Sequence, residues 1–227
     1  MTEISKPDFD QYLQPGRFVD SDAPTVVDFA QTVSSGSAEK REKAVSIYYA
    51  VRDTIRYDPY NIDLAPEALT ASSVLAKGRG FCIVKANLLA AAARVVGIPS
   101  RLGYANVRNH LTTERLNQYM RSDVFAFHGF TELYLEGRWV KATPAFNISL
   151  CQRFDVKPLE FDGQNDSIFH EYDSQGQRHM EYLQDLGHYA DLPRKLMIAT
   201  FRKHYPHLYD GTATTLGGDF EADASSS

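Results

Sequence analysis

The chain carries two cysteines, one tryptophan and four methionines in 227 residues, and it has no long uninterrupted apolar run. Two cysteines, Cys82 and Cys151, are too few for a disulfide scaffold or a cysteine zinc site, so both are expected as free thiols in a reducing, cytoplasmic setting. No block of five or more Lys and Arg occurs and the net charge is −5, which excludes nucleic acid as the main partner. No segment approaches the roughly 18 apolar residues of a membrane span, so no membrane partner is expected. The first ten residues carry Glu3, Asp8 and Asp10 without an apolar stretch, unlike a secretory signal. No HExxH pair or EF-hand loop is present, and His204 and His207 have no obvious carboxylate partner, so neither a metal nor any other cofactor is expected.

What is present is an ordinary globular composition, 43% hydrophobic and 23% charged. After an irregular arm with Phe9, Tyr12 and Phe18, a short helix capped by Asp22 or Thr25 is expected to reach Thr32. The link Ser34-Ser35-Gly36-Ser37 precedes a helix over 38–56, where Ala44, Ile47, Tyr48, Val51 and Ile55 recur at helical spacing. Pro59 ends that pattern. A short helix over 70–77 leads to a glycine turn and an alanine-rich helix from Cys82 to about Val96, stopped by Gly97 and Pro99. From 101 the period changes to two. A strand over 101–106, a short polar helix within 110–120, and a hairpin of 124–135 and 138–142 turning at Glu136-Gly137 follow. A second hairpin is expected from 168–172 and 178–183, then a helix over 192–204. Residues 211–227 read as a disordered tail. The order gives an α+β fold, N-terminal helices packed on an antiparallel sheet. It forms one domain over 1–210, with a core at about 38–150 and an appended segment at 151–210.

Chemistry concentrates at Gly78-Arg79-Gly80-Phe81-Cys82, which sets a thiol at the mouth of the long helix. Unpaired N–H groups and the positive end of the helix dipole favour the thiolate there. A thiol nucleophile needs a base, and His128 lies on the first strand of the hairpin. Strict alternation puts His128, Phe130 and Glu132 on one face of that strand and Phe127, Gly129 and Thr131 on the other. If the His128 face meets the helix start, imidazole meets sulfur. The returning strand brings back residues close to Thr143, where a third group could hold the ring by its other nitrogen. Cys151 lacks a glycine turn and reads as a core residue.

These pieces, in order, resemble the bacterial transglutaminase-like superfamily: Gly80-Phe81-Cys82, the helix ending Gly97-Ile98-Pro99, His128-Gly129-Phe130-Thr131-Glu132, Gly137-Arg138-Trp139-Val140 and Thr143-Pro144. The similarity spans about 44–147. It implies a papain-like core and an enzyme working through a thioester, a protease, amide hydrolase or acyl transferase on a peptide, protein or small amide. Matched residue by residue, it implies Cys82 as nucleophile and His128 as base. The family's aspartate falls at Thr143, where this chain departs from the pattern. A hydroxyl can orient an imidazole but supplies no negative charge to favour imidazolium. Glu132, about 7 Å along the strand, and Asp123, ahead of it, do not displace Thr143 from that position. The resemblance thus leaves two expectations: a slower cysteine enzyme, or a weakened fold retained for binding or as a scaffold.

Overall fold

A computed structural model describes residues 9–110, 112–168, 180–209 and 216–224. The chain is α+β, as the sequence predicts. Helix α1 spans Pro24–Val33, and Pro24 at its first turn, rather than a side-chain cap from Asp22 or Thr25, starts it. Helix α2, Lys40–Thr54, opens on a reciprocal cap between Glu39 and Glu42. It buries Ala44, Ile47, Tyr48 and Val51, the stripe read from the sequence. Helix α3, Ala71–Lys77, is capped by the Thr70 hydroxyl, which accepts from the Ser73 N–H.

The central helix α4, Cys82–Val95, is buried on nearly every side, including Lys85, Asn87 and Arg94. Burial of these polar groups requires partners, and each ties down a neighbour. The Lys85 amine donates to the carbonyls of Arg52, at 2.9 Å, and Ile55, satisfying the C-terminal end of α2. Asn87 donates to the Leu69 carbonyl at 2.9 Å, and Arg94 holds the Ser100 carbonyl at the same distance. Burial lowers the Lys85 amine to about 7.

The sheet is antiparallel in the order β5-β4-β3-β6, from strands β3 (Ser100–Asn109), β4 (Val124–Leu135), β5 (Arg138–Ala142) and β6 (Met180–Tyr189). The β4–β5 turn uses Glu136 and Gly137 at φ 49° and 90°, the left-handed pair a two-residue hairpin needs. A separate parallel pair joins β1 (Arg56–Tyr57) to β2 (Arg79–Gly80). Helices α5 (Glu114–Met120), α6 (Ile148–Arg153) and α7 (Arg194–His204) complete the layers.

Two expectations change. Of the second predicted hairpin, residues 169–179 lie outside the described residues. Met180–Tyr189 extends the main sheet, pairing antiparallel with β3 from Leu102↔Tyr189 to Asn109↔Met180. The tail expectation fails for 216–224, which ends in a short helix α8, Phe220–Asp223; the rest of 211–227 lies outside the described residues. One aromatic holds it: Phe220 is buried against Tyr57, Tyr60 and Phe154, worth about 2–3 kcal/mol of apolar burial. Arg56 adds ion pairs to Asp219 at 2.9 Å and Glu221 at 3.2 Å. No period announces such an anchor, so composition alone misses it.

Later segments are pinned to the core by hydrogen bonds. Tyr48 donates to the Leu159 carbonyl at 3.0 Å, and the Asp191 carboxylate accepts from the amides of Arg17, Phe18 and Val19. Phe9 and Tyr12 pack on Trp139, as the arm was expected to do through its aromatics.

Candidate active site

Cys82 owes its position to the turn before it. Gly78 ends α3 in the left-handed region at φ 63°, and the β1–β2 pairing then fixes the chain through Arg56 N–H to Gly78 O and Asp58 N–H to Gly80 O, each 3.0 Å. A Cβ on Gly80 would come within 2.4 Å of Val84 and 2.6 Å of Val74, so only glycine fits between these two helices. Phe81, extended at φ −93° and ψ 177°, is the N-cap, and Cys82 is the first helical residue.

β4 closes on that helix start by its other face, contrary to simple alternation. Gly129 lies against Ile83, where a Cβ would stand 3.0 Å from the Ile83 Cα, and the Thr131 hydroxyl donates to the Ala86 carbonyl at 2.9 Å. Phe130 instead covers Gly103, and Glu132 pairs with Arg101 on the far side. His128 nevertheless lines the same cavity as Cys82, because the strand breaks step just before it. The β3–β4 register shifts between Ala105↔His128 and Val107↔Phe125, and Phe127 sits at φ 62°.

A left-handed aromatic residue costs about 1–3 kcal/mol and must be held by its surroundings. The Asn106 side-chain oxygen accepts from the Phe127 N–H at 3.0 Å, and the Phe127 ring stacks on Tyr104 with centroids 4.3 Å apart. In the sequence Asn106 stands only as the last residue of the strand expected over 101–106. A polar side chain on the buried side of a strand was the signal that could have marked the kink.

Cys82 is half-buried at a helix start that Gly129, the neighbour of His128, touches at Ile83. Burial outweighs the lowering effect of the nearby backbone amides and pushes the thiol up to about 11. Burial also lowers His128 to about 4. At neutral pH the pair rests as thiol and neutral imidazole, where the helix start alone had suggested a thiolate.

Thr143 follows β5 at the position the ladder sets opposite Phe130, given Thr131↔Ala142. Its N–H donates to the Ser167 carbonyl at 3.0 Å, and its carbonyl lies 3.2 Å from the Tyr48 hydroxyl. Its own hydroxyl is buried with no hydrogen-bond partner among the described residues. Neither alternative carboxylate serves the imidazole: Glu132 is taken by Arg101, and Asp123 by Arg108 at 2.7 Å. Cys151 is buried in α6, as its core reading implied.

The cavity beside Cys82 and His128 measures about 270 Å³ and is walled by residues no motif indicated, among them Leu116, Met120, Phe201 and Tyr205. Among the described residues no group of His, Cys, Asp and Glu could hold a metal ion. No described helix is long and apolar enough to cross a membrane.

The family model of the transglutaminase-like superfamily matches residues 27–144, more than half of the chain. The chain belongs to the transglutaminase-like superfamily. No curated protein matches it. Among solved structures, a "putative cysteine protease" from Cytophaga hutchinsonii is similar at 17% identity and a TM-score of 0.48, covering 81% of this chain and 55% of that one. A "putative protease" from Parabacteroides distasonis is similar at 18% identity and a TM-score of 0.37, covering 56% and 26% respectively. The chain thus spans about half the length of the first neighbour and a quarter of the second. Within the superfamily match lie Cys82, His128 and Thr143.

Proposed function

We propose that this transglutaminase-like chain is a cysteine-dependent amide hydrolase or acyl transferase, with Cys82 as nucleophile and His128 as general base and acid. The observation that carries the reading is the shared cavity wall: a helix-start thiol facing the same space as the His128 imidazole.

In this mechanism the Cys82 thiol gives its proton to His128 as the sulfur attacks an amide or ester carbonyl, forming the S–C bond. Because both groups are neutral at rest, the proton moves with the attack rather than before it. The N–H of Cys82, at the helix start, faces the developing oxyanion. His128 then protonates the leaving nitrogen or oxygen, the bond to carbon breaks, and a thioester remains on Cys82. Water or an amine attacks that thioester, His128 takes the proton of the attacking group and returns it to sulfur, and an acid or a new amide departs. The substrate is a peptide, a protein or a small amide, and the site of action is cytoplasmic.

The unpartnered hydroxyl of Thr143 favours a second reading, a binding or scaffold protein that keeps the fold with a weakened triad. Turnover of chromogenic esters and amides separates the two. Cys82→Ala should abolish it while leaving the circular dichroism spectrum unchanged; full activity in that variant would remove Cys82 from the chemistry.

A further inference from the structure

The cavity that meets Cys82 is built from the loop after β1, the helix α5, the start of β4 and the helix α7 with the turn beyond it. None of its described lining residues is Asp, Glu, Lys or Arg. Two of its phenols also have their polar ends committed elsewhere. The Tyr205 hydroxyl accepts from the Ala126 N–H at 2.6 Å and donates to the Val124 carbonyl at 2.9 Å. The Tyr60 hydroxyl is bonded to Thr113 at 2.6 Å and to Asp223 at 2.9 Å. What these residues present to the space is therefore ring, not donor or acceptor.

We propose that this cavity is the acyl-side pocket and that it selects a large, uncharged aromatic side chain, of phenylalanine type, next to the carbonyl under attack. This rests on the reading of Cys82 as nucleophile. At about 270 Å³ the space lies just under the roughly 300–1,000 Å³ of drug-sized pockets, which suits one ring-bearing residue and its carbonyl. Each methylene buried there is worth roughly a fourfold gain in binding. A carboxylate or ammonium would be stripped of water among rings that offer no counter-charge, so charged side chains are rejected. The substrate class thus follows from later segments of the chain, not from the residues that carry the bond-making chemistry.

Two measurements test this. By isothermal titration, N-acetylphenylalaninol, which lacks the carbonyl that Cys82 would attack, should bind on the order of 100-fold tighter than N-acetylalaninol. Ile62→Asp, a charge placed at the partly exposed rim, should weaken it roughly tenfold. Equal affinity for the two alcohols overturns the pocket. In the second measurement, 4-nitroanilides of N-acetyl-Phe, N-acetyl-Ala and N-acetyl-Glu should be cleaved with kcat/KM falling in that order. Cleavage of all three at equal rates also overturns the pocket, yet leaves Cys82 as nucleophile. Ring-selective binding with no cleavage of any donor does the reverse: it sustains ring selection by the cavity but removes the catalytic reading, and with it the acyl-side assignment.

Discussion

Acid should destabilise this protein through His128 in a way that one substitution isolates. The imidazole is 5% exposed and titrates at about 4, lowered by burial from an ordinary value of 6.5. Between those values the unfolded chain binds a proton that the folded chain does not, so stability rises with pH across that window and is fully present above about pH 6.5. The loss attributable to His128 is about 0.8 kcal/mol at pH 6, about 2 kcal/mol at pH 5 and about 3 kcal/mol at pH 4. Urea unfolding from pH 8 to pH 4, read by circular dichroism, gives the profile of wild type and of His128→Gln. Because other groups titrate over the same range, the difference between the two profiles is the quantity of interest. It should grow by about 2 kcal/mol between pH 7 and pH 5. Parallel profiles would show that His128 is not held neutral by burial and would remove the basis for a resting thiol/imidazole pair.

Two further outcomes concern Thr143 and Asn106. Thr143→Asp places a carboxylate at the family's usual position and should raise the His128 pKa by about one unit or more in an NMR titration; no movement would take Thr143 out of the site. Asn106→Ala removes the acceptor that holds Phe127 in its left-handed conformation, and should cost about 1–3 kcal/mol of stability and lower kcat roughly tenfold with KM little changed. A fall in stability with kcat intact would leave Asn106 as a packing residue only.

The sequence carried the fold well where the signal was local. The apolar stripe of α2, the glycine turn before Cys82 and the Glu136-Gly137 hairpin are each set by neighbours in the chain, and each forms as read. It failed where a long-range contact decides. Phe127 has no intrinsic preference for a left-handed conformation; Asn106 and Tyr104, on the adjacent strand, impose it, and this overrides the alternation that assigned His128 to a face. The same holds for the thiol. A helix start lowers a cysteine pKa in isolation, but here burial outweighs it and reverses the sign. Phe220 and the cavity walls of α5 and α7 were equally invisible, because single apolar residues meeting across the fold leave no period.

The central claim, that Cys82 forms an acyl-enzyme, is tested most directly by intact-protein and peptide mass spectrometry after rapid mixing with an excess of an N-acetyl-phenylalanine 4-nitrophenyl ester. The expected result is a single acyl adduct on the peptide bearing Cys82, accumulating before steady state and absent from Cys82→Ala. An adduct on Cys151 instead, or sustained hydrolysis in Cys82→Ala, would contradict it.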